Sequence, residues 1–420
     1  MTLKSFNNIF KGDKVIWMIF FLLCMISIIE VYSASSSLSY TGGNYWAPLI
    51  KHGVTIFIGF VVLIFIMNIK CRYFKLMTPF ALFLSFCMLL LLPFLGSETN
   101  GASRWVSFMG LQFQPSEFAK AAVILAVAQI LSAMQTEYGA DKKAFKYIII
   151  LSFFMIVPMG LENLSTAMLA FLTVLLMMIV GRVPMKQIGK LLGVITIAVV
   201  FVIVLVMAVG KDKTPESNKQ NLTEQAAEET QEDNSLIGKV FHRADTWKAR
   251  INRFTDDKYI APKDFDLDKD AQIGHARIAI ATSNVVGKGP GNSNERDFLS
   301  QAFSDFIYAI IIEEMGIEGA AFVALLYIVL LFRTGKIVNR CENSFPAFLA
   351  MGIAFLLVTQ ALFNMAVAVG LAPVTGQPLP FISKGGTSTI INCMYIGMLL
   401  SISRFAQKRK KEKQAVVEEV

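Results

Sequence analysis

A series of long apolar runs, separated by short polar loops, constrains this sequence more than any other feature. An α-helix of about 20 apolar residues spans the hydrocarbon core of a bilayer and satisfies its own backbone hydrogen bonds there. The pattern predicts an all-α integral membrane protein, a bundle of about ten transmembrane helices forming a single polytopic domain over residues 1–420. The runs lie near residues 13–33, 49–68, 77–95, 114–133, 146–161, 163–181, 189–209, 304–332, 346–368 and 387–404.

The break between the fifth and sixth runs, around Glu162, is a short polar hinge. It is compatible with two separate helices or with a re-entrant turn. The polar residues that follow, from Asn163 to Thr166, are expected to cap the sixth helix and to take no part in chemistry.

Composition points to the same class, since 55% of the residues are hydrophobic and 17% are charged. The formal net charge of +8 does not indicate nucleic-acid binding, because the basic residues lie in short clusters between apolar runs. The five cysteines and three histidines are dispersed along the chain. Their spacing indicates neither a disulfide framework nor a zinc site.

The basic clusters predict an orientation in the membrane. They precede the first run and follow every even-numbered run, the last of them as the basic tail of residues 405–420. Short loops rich in Lys and Arg stay in the cytoplasm. Both termini are therefore expected in the cytoplasm, and the large segment of residues 210–303, between the seventh and eighth helices, is expected on the outer side.

This outer segment has three parts. Residues 213–233 form a polar insert with almost nothing apolar, a composition typical of flexible chain. Residues 236–254 have amphipathic helical spacing and a basic face, which suits either a surface helix that binds anionic lipid headgroups or a helix packed on the bundle. A further helix is predicted over 271–286, followed by a glycine-rich turn at 287–291.

Asp305 stands where this polar segment meets the eighth apolar run, with Ser304 ahead of it as an expected N-cap. A carboxylate at the boundary between water and lipid is suited to chemistry on an amphiphile. It would also complement the dipole of a helix if it lay in the first helical turn. Both interpretations of Asp305 stay open on this stretch alone.

Two other stretches place polar residues near the membrane. Glu117 and Lys120 lie three residues apart after Pro115 and therefore share one face of the fourth helix, where they are expected to pair inside the protein. The pair is either structural or functional. The segment 373–388 contains three prolines and three glycines, so it is predicted to be a non-helical loop supported by protein or lining a wet cavity.

These stretches together resemble the SEDS family (shape, elongation, division and sporulation), the FtsW and RodA type of bacterial membrane glycosyltransferase. The matching motifs occur in family order across nearly the whole chain, at 101–105, 114–120, 304–307, 313–316 and 373–388. The resemblance implies ten transmembrane helices in the bacterial cytoplasmic membrane and polymerisation of lipid II into peptidoglycan strands. It also implies that Asp305 is catalytic.

In lipid II a sugar is linked through pyrophosphate to a polyprenyl tail, so cationic and polar groups are expected around the leaving group. The candidates are Arg104, Glu117, Lys120, Lys384 and Ser388. Lys384 departs from the Tyr that is frequent in the family, so anion binding by Lys384 would be particular to this branch. A divalent cation, Mg²⁺ or Mn²⁺, is chemically reasonable here although no ligand pattern identifies its residues, and no organic cofactor is expected.

The expected partners are lipid II, the growing glycan strand, membrane lipids, a class B penicillin-binding protein transpeptidase and other divisome proteins. The region around residues 296–305 favours a division role of the FtsW type. An elongation role of the RodA type, a flippase for lipid-linked precursors and a scaffold without catalysis stay as alternatives. No internal repeat of the kind that many transporters show was found in the sequence.

Overall fold

The structure, a computed structural model, describes residues 10–34, 46–95, 97–99, 102–108, 111–209, 267–299 and 302–418. In chain order its helices are α1 (Lys14–Ala34), α2 (Ala47–Met67), α3 (Cys71–Leu95), α4 (Pro115–Ala133), α5 (Lys142–Glu162), α6 (Leu164–Val180), α7 (Met185–Val209), α8 (Leu267–Thr282), α9 (Ile307–Val338), α10 (Ser344–Ala368) and α11 (Thr387–Glu418). Each of the ten predicted spans coincides with one of these helices, and α8 is the additional helix predicted before the glycine turn.

Eight of the described helices, all but α6, α7 and α8, are long and apolar enough to cross a membrane. Helix α6 is apolar but has 17 residues, and α7 is an apolar helix of 25 residues. Large apolar side chains such as Phe57, Phe65 and Phe83 lie on the outside of the bundle, where lipid would cover them. The all-α membrane prediction is confirmed.

Two small antiparallel sheets accompany the helices, a feature that the apolar pattern did not predict. The first joins β1 (Ser97–Thr99), β2 (Ala102–Phe108) and β3 (Leu111–Phe113) between α3 and α4. The second joins β4 (Gln135–Thr136) to β5 (Gly139–Ala140) between α4 and α5. Both sheets are hairpin connections between successive helices.

The hinge near Glu162 separates two helices and is not a re-entrant turn. Asn163 has extended backbone and caps α6, because its side-chain oxygen accepts hydrogen bonds from the N–H groups of Ser165 (3.1 Å) and Thr166 (3.4 Å). Such a cap satisfies N–H groups that have no partner inside the helix. The capping role predicted for this stretch is confirmed.

The chain divides into two compact units. One consists of Met1–Met185, Asp266–Leu371 and Thr375–Val420, and the other of Lys186–Phe265 and Ala372–Val374. All the site residues discussed below belong to the first unit. The flexible insert predicted at 213–233 and the amphipathic helix predicted at 236–254 lie outside the described residues.

The segment between α8 and α9 is fixed by two buried carboxylates. Glu313 pairs with the ammonium of Lys288 at 2.6 Å and accepts backbone hydrogen bonds from Asn294 and Glu295. Glu314 accepts a backbone hydrogen bond from Gly291 at 2.9 Å. Buried carboxylates need such partners, so both side chains anchor the loop that leads towards Asp305.

Helix α9 is kinked directly after these two glutamates. Gly316 has φ +70°, a conformation that L side chains rarely adopt, and a Cβ placed there would lie 2.1 Å from the carbonyl oxygen of Val285. Glycine is therefore required at this position, because any side chain would meet the neighbouring backbone. The close approach brings the glycine turn at 287–291 against the start of α9.

Candidate active site

Asp305 lies in a turn before α9 and not within the helix. The helix begins at Ile307, its N-cap residue is Phe306 without a side-chain cap, and its first turn contains no acidic residue. The prediction that Ser304 is the N-cap is therefore wrong, and Asp305 does not have the first-turn position required by the dipole interpretation. Instead the Ser304 hydroxyl donates a hydrogen bond to Asp305 Oδ1 at 3.1 Å.

The turn departs from helical geometry because neighbouring segments bind its backbone. The carbonyl of Ser304 accepts from the hydroxyl of Ser383 at 2.6 Å, and the carbonyl of Phe303 accepts from the N–H of Lys384 at 2.9 Å. The carbonyl of Asp305 itself accepts from Asn364 Nδ2 at 2.9 Å. Three successive carbonyls are thus bound by groups from outside the turn, which sets the position of the half-buried Asp305 carboxylate.

Residues 375–386, which we call the proline loop, connect α10 to α11 without regular structure. The non-helical loop predicted over 373–388 is confirmed up to Gly386, but its last two residues, Thr387 and Ser388, begin α11. Four of its carbonyls accept hydrogen bonds from side chains on three different helices. Gln377 accepts from Asn364 (2.8 Å) and Pro378 from Gln360 (3.0 Å), both on α10, Pro380 accepts from Tyr327 on α9, and Ile382 accepts from Ser27 on α1 (2.8 Å). The side chain of Gln377 in turn donates to Thr166 on α6 (2.9 Å). Since the loop cannot satisfy its own backbone groups, these buried side chains do so.

Glu117 and Lys120 form the predicted pair inside the protein. Lys120 Nζ lies 2.8 Å from Glu117 Oε1, and the two side chains are 1% and 2% exposed. The ammonium also donates to Gln360 Oε1 at 3.0 Å. Pro115 is at the start of α4, as predicted, so the helix geometry directs both charged side chains to one buried face.

Helix α10 connects this pair to Asp305. Gln360 binds Lys120, and Asn364 binds the backbone of Asp305. Residues four apart on an α-helix lie on the same face, about 6 Å apart along its axis. The fold therefore brings the Glu117–Lys120 pair and the Asp305 turn to neighbouring positions along one face of α10.

Several buried polar atoms in this region have no hydrogen-bond partner among the described residues. They are Glu117 Oε2, Asn364 Oδ1, Thr375 Oγ1, Gln377 Oε1 and Ser388 Oγ. Protein interiors rarely leave such atoms unsatisfied, and a group of them indicates a place where water or a ligand binds. The region contains a carboxylate oxygen and two amide oxygens, which only accept, and two hydroxyls, so it suits a polar ligand that carries hydrogen-bond donors such as hydroxyl groups.

Lys384 lies at the end of the proline loop next to the Asp305 turn. Its ammonium lies 4.8 Å from the centroid of the Phe303 ring, a favourable cation–π distance. Burial lowers the pKa of Lys384, and the positive charge of Lys51 lowers it further. Placing Lys384 beside an anion would relieve both effects, because a negative charge stabilises the protonated ammonium.

The remaining predicted site residues are Ser388 and Arg104. Ser388 lies at the start of α11 and its N–H donates to the carbonyl of Gly385 at 3.0 Å. Arg104 lies on β2, but its side chain is outside the described atoms. The structure thus brings together Asp305, Glu117, Lys120 and Lys384 through a common set of hydrogen bonds, and it leaves the contribution of Arg104 as a prediction.

Four supporting residues of this site were missed by the sequence analysis: Gln360, Asn364, Gln377 and Tyr327. The first two carried a usable signal, because they are polar residues four apart in an otherwise apolar span, and such residues face the protein interior. Within the part of the chain that the structure describes, no three His, Cys, Asp or Glu side chains converge as metal ligands.

Comparison with known proteins places this arrangement in a family. The family profile FTSW_RODA_SPOVE, described as "Cell cycle protein", matches residues 13–231 and 234–408. The chain belongs to this family. A curated FtsW/RodA/SpoVE relative from Geobacter sp. (strain M18), named "Probable peptidoglycan glycosyltransferase FtsW", is 30% identical over 399 residues, which cover 93% of this chain and 96% of that protein.

A second relative in the family, "Stage V sporulation protein E" of Bacillus subtilis (strain 168), is 28% identical and covers 94% of this chain and 98% of its own length. Two solved structures share the fold. One is described as "Structural coordination of polymerization and crosslinking by a peptidoglycan synthase complex" (TM-score 0.66, 21% identity, 94% of this chain and 98% of that one). The other is Thermus thermophilus RodA (TM-score 0.62, 20% identity, 94% and 98%). This family member is a multi-pass helical membrane protein.

Proposed function

We propose that this protein is a peptidoglycan glycosyltransferase that polymerises lipid II, with Asp305 as the general base. The observation that carries the proposal is the Asp305 turn, in which three consecutive carbonyls are bound by Lys384, Ser383 and Asn364. A general base must be held within hydrogen-bond reach of the proton that it removes. A relative named "Probable peptidoglycan glycosyltransferase FtsW", which is 30% identical over nearly the whole chain, supports a glycosyltransferase function.

The proposed reaction joins an acceptor sugar hydroxyl to the anomeric carbon of a pyrophosphate-linked sugar. The new C–O bond forms as the bond from the anomeric carbon to the pyrophosphate oxygen breaks, and that oxygen keeps the electron pair. The hydroxyl proton passes to the Asp305 carboxylate. The Ser304 hydroxyl, which donates to Oδ1, orients this carboxylate.

The leaving pyrophosphate gains negative charge, and nearby cations would stabilise it. Lys384 and Lys120 are the described candidates, with Arg104 as a further one from the sequence. Lys384 follows directly after the residue that binds Ser304, and its ammonium has no ion pair among the described residues. Lys120 is already paired with Glu117, so its contribution is proposed to be smaller. The Ser388 hydroxyl would donate to a phosphate oxygen.

We also propose that a divalent cation, Mg²⁺ or Mn²⁺, binds at the pyrophosphate. Mg²⁺ is commonly held by one or two carboxylates together with substrate phosphates and water. Glu117 Oε2, which is buried and without a partner among the described residues, would be the carboxylate oxygen that holds it. The ion would supply charge neutralisation of the leaving group.

The biological setting is proposed as septal wall synthesis, because curated relatives carry the FtsW name. The basic loops favour a cytoplasmic position of both termini. In this orientation the Asp305 turn would lie at the outer surface, where the sugar of lipid II is presented. A class B penicillin-binding protein transpeptidase and other divisome proteins are the proposed partners. One solved structure with the same fold is described as a "peptidoglycan synthase complex".

The decisive experiment is Asp305→Asn in a reconstituted assay on labelled lipid II. Asn keeps the shape of the side chain but accepts no proton, so glycan formation is expected to fall by at least about 10²-fold, the lower range for general base catalysis. Asp141→Asn is the matched control, because Asp141 caps α5 far along the chain and Asn also caps helices well.

Near-parental polymer formation by folded Asp305→Asn protein would refute the assignment of the base. A flippase is the main alternative, and the same assay, with the protein reconstituted in lipid vesicles, distinguishes a flippase from a polymerase. A flippase would move labelled lipid II across the bilayer without lengthening glycan, and a scaffold would do neither yet tolerate the substitution in cells.

A further inference from the structure

We infer that His52 and Ser27, which no sequence motif singled out, are positioning residues that hold the proline loop in the geometry needed at Asp305. The inference rests on the proposed function, since it assigns these residues a role in the same reaction. It starts from a buried contact between three segments: the side chains of Ser27 on α1 and His52 on α2, and the backbone of Ile382 in the proline loop.

The directions of the two hydrogen bonds follow from their partners. The Ser27 hydroxyl lies 2.8 Å from the carbonyl oxygen of Ile382 and 2.8 Å from His52 Nε2. A carbonyl oxygen can only accept, so the single hydroxyl proton of Ser27 points to Ile382. Ser27 Oγ must then accept from His52, and His52 carries its proton on Nε2. The result is a chain of two hydrogen bonds, which we call the relay: the His52 imidazole donates to the Ser27 hydroxyl, and the hydroxyl donates to the Ile382 carbonyl.

Both side chains are buried. Ser27 is 0% exposed and His52 is 2% exposed. Because water does not reach them, their polar atoms depend on these hydrogen bonds to replace the ones they make to water in the unfolded chain. A polar pair inside apolar spans is expensive and commonly marks function. Several other buried hydroxyls of the bundle, Ser85 among them, bond to the carbonyl four residues earlier in their own helix. Ser27 instead reaches 355 residues along the chain.

The relay acts on the residues that hold the base. Ile382 is followed by Ser383, which binds the carbonyl of Ser304, and by Lys384, whose N–H binds the carbonyl of Phe303. Consecutive Cα atoms are about 3.8 Å apart, so a shift of Ile382 passes through one or two peptide units to the turn carrying Asp305.

Helix α1 holds the same part of the loop at a second point. Phe20, seven residues before Ser27 and on the same face of α1, packs edge-on against Phe381 with ring centroids 5.8 Å apart. Phe381 has φ +69°, a left-handed conformation that a bulky residue adopts only when its surroundings impose it. Together, the ring contact and the relay fix two successive loop residues against the first two helices.

The test uses the full chain in lipid nanodiscs with its transpeptidase partner present. The variants are Ser27→Ala, which removes the relay hydroxyl, His52→Leu, which removes the imidazole donor, and His52→Gln, whose amide N–H₂ can replace that donor. Ser85→Ala is the matched control, a buried serine whose hydroxyl serves its own helix. Two quantities are measured, the kcat for polymerisation of lipid II and hydrogen exchange of the peptide covering residues 379–384.

Ser27→Ala and His52→Leu are expected to lower kcat by about tenfold or more, since small misplacements of catalytic groups have effects of this size. They are also expected to speed exchange at Leu379, Ser383 and Lys384, the loop residues whose N–H groups are hydrogen-bonded. His52→Gln should recover most of the kcat. Ser85→Ala should change neither quantity.

The inference is overturned if the relay variants exchange and polymerise like the parent, or if His52→Gln is as impaired as His52→Leu. His52→Leu can fail to fold, in which case Ser27→Ala, the smaller change, decides on its own. A parental protein that makes no glycan would refute the proposed function and not the relay, because hydrogen exchange reports on the loop without any reaction.

Discussion

Removing the ammonium of Lys120 separates the structural and the functional interpretations of the Glu117–Lys120 pair. The pair is nearly unexposed and its charges are 2.8 Å apart, so Lys120→Met would leave the Glu117 carboxylate buried beside an apolar side chain. Breaking a buried pair by removing one partner typically costs about 3–5 kcal/mol in the free energy of unfolding. We expect Lys120→Met to be destabilised by this amount.

Adding Glu117→Gln to Lys120→Met removes the uncompensated charge. What remains is the lost hydrogen bond from Lys120 to Gln360 Oε1, which is 3.0 Å long in the parent and leaves one buried acceptor without a partner. That loss is worth about 1–3 kcal/mol. The double variant is therefore expected to be more stable than Lys120→Met, and the four proteins of the cycle should give a coupling energy of at least about 1 kcal/mol.

Resistance to unfolding by sodium dodecyl sulfate, followed in purified protein, measures the four stabilities. Polymerisation of lipid II by the same samples measures activity. If Lys120 stabilises the leaving pyrophosphate, the double variant stays at least about 10²-fold below the parent although its stability recovers, because removal of one such electrostatic contact commonly has this effect.

Two results would refute the reasoning. A Lys120→Met protein as stable as the parent would mean that the charges are not coupled in the folded protein. A double variant that polymerises lipid II at the parental rate would make the pair purely structural. In that case Lys384 would be left as the described cation to test at the pyrophosphate, with Lys384→Met as the variant.

Three further predictions concern topology, the polar insert and the kink in α9. Cysteines introduced at Ser217 and Asn292 should react with an impermeant thiol reagent in intact spheroplasts, and labelling only after lysis would contradict the outer placement of residues 210–303. Replacing residues 213–233 by a short Gly/Ser linker should leave polymerisation within a few-fold of the parent, because that composition is unsuited to a packed structure; loss of activity in properly inserted protein would argue otherwise. Gly316→Ala should sharply reduce the yield of monodisperse protein on size exclusion, because its Cβ would lie 2.1 Å from a backbone oxygen. Gly335→Ala on the same helix, where a Cβ meets nothing within 4 Å, should have no such effect.

The apolar periodicity was enough to predict the helices, because in a bilayer a long apolar run has few alternatives to a helix. It also placed Glu117 and Lys120 on one buried face, since residue spacing on a helix determines which side chains meet. Residues 387–404 were predicted as a span and lie in α11 for the same reason. These features depend on local sequence alone.

The start of α9 could not be predicted in this way. Ser304 has the side chain of a good N-cap, yet its carbonyl is bound by Ser383, nearly 80 residues later in the chain. Hydrogen bonds from the proline loop occupy carbonyls that would otherwise accept hydrogen bonds within a helix, so the helix begins at Ile307. Local propensity is overruled here by contacts that only the folded bundle provides.

The proline loop also explains why Asp305 and Lys120 are positioned by residues so far apart in the sequence. A buried segment without regular structure must find donors for its carbonyls. Here Asn364, Gln360, Tyr327 and Ser27 supply those donors. The amide nitrogen of Asn364 also donates to the carbonyl of Asp305, and the amide oxygen of Gln360 accepts from Lys120. The side chains that satisfy the loop are thus the ones that fix the site, so a change in the packing of α1, α9 or α10 must alter the geometry at Asp305.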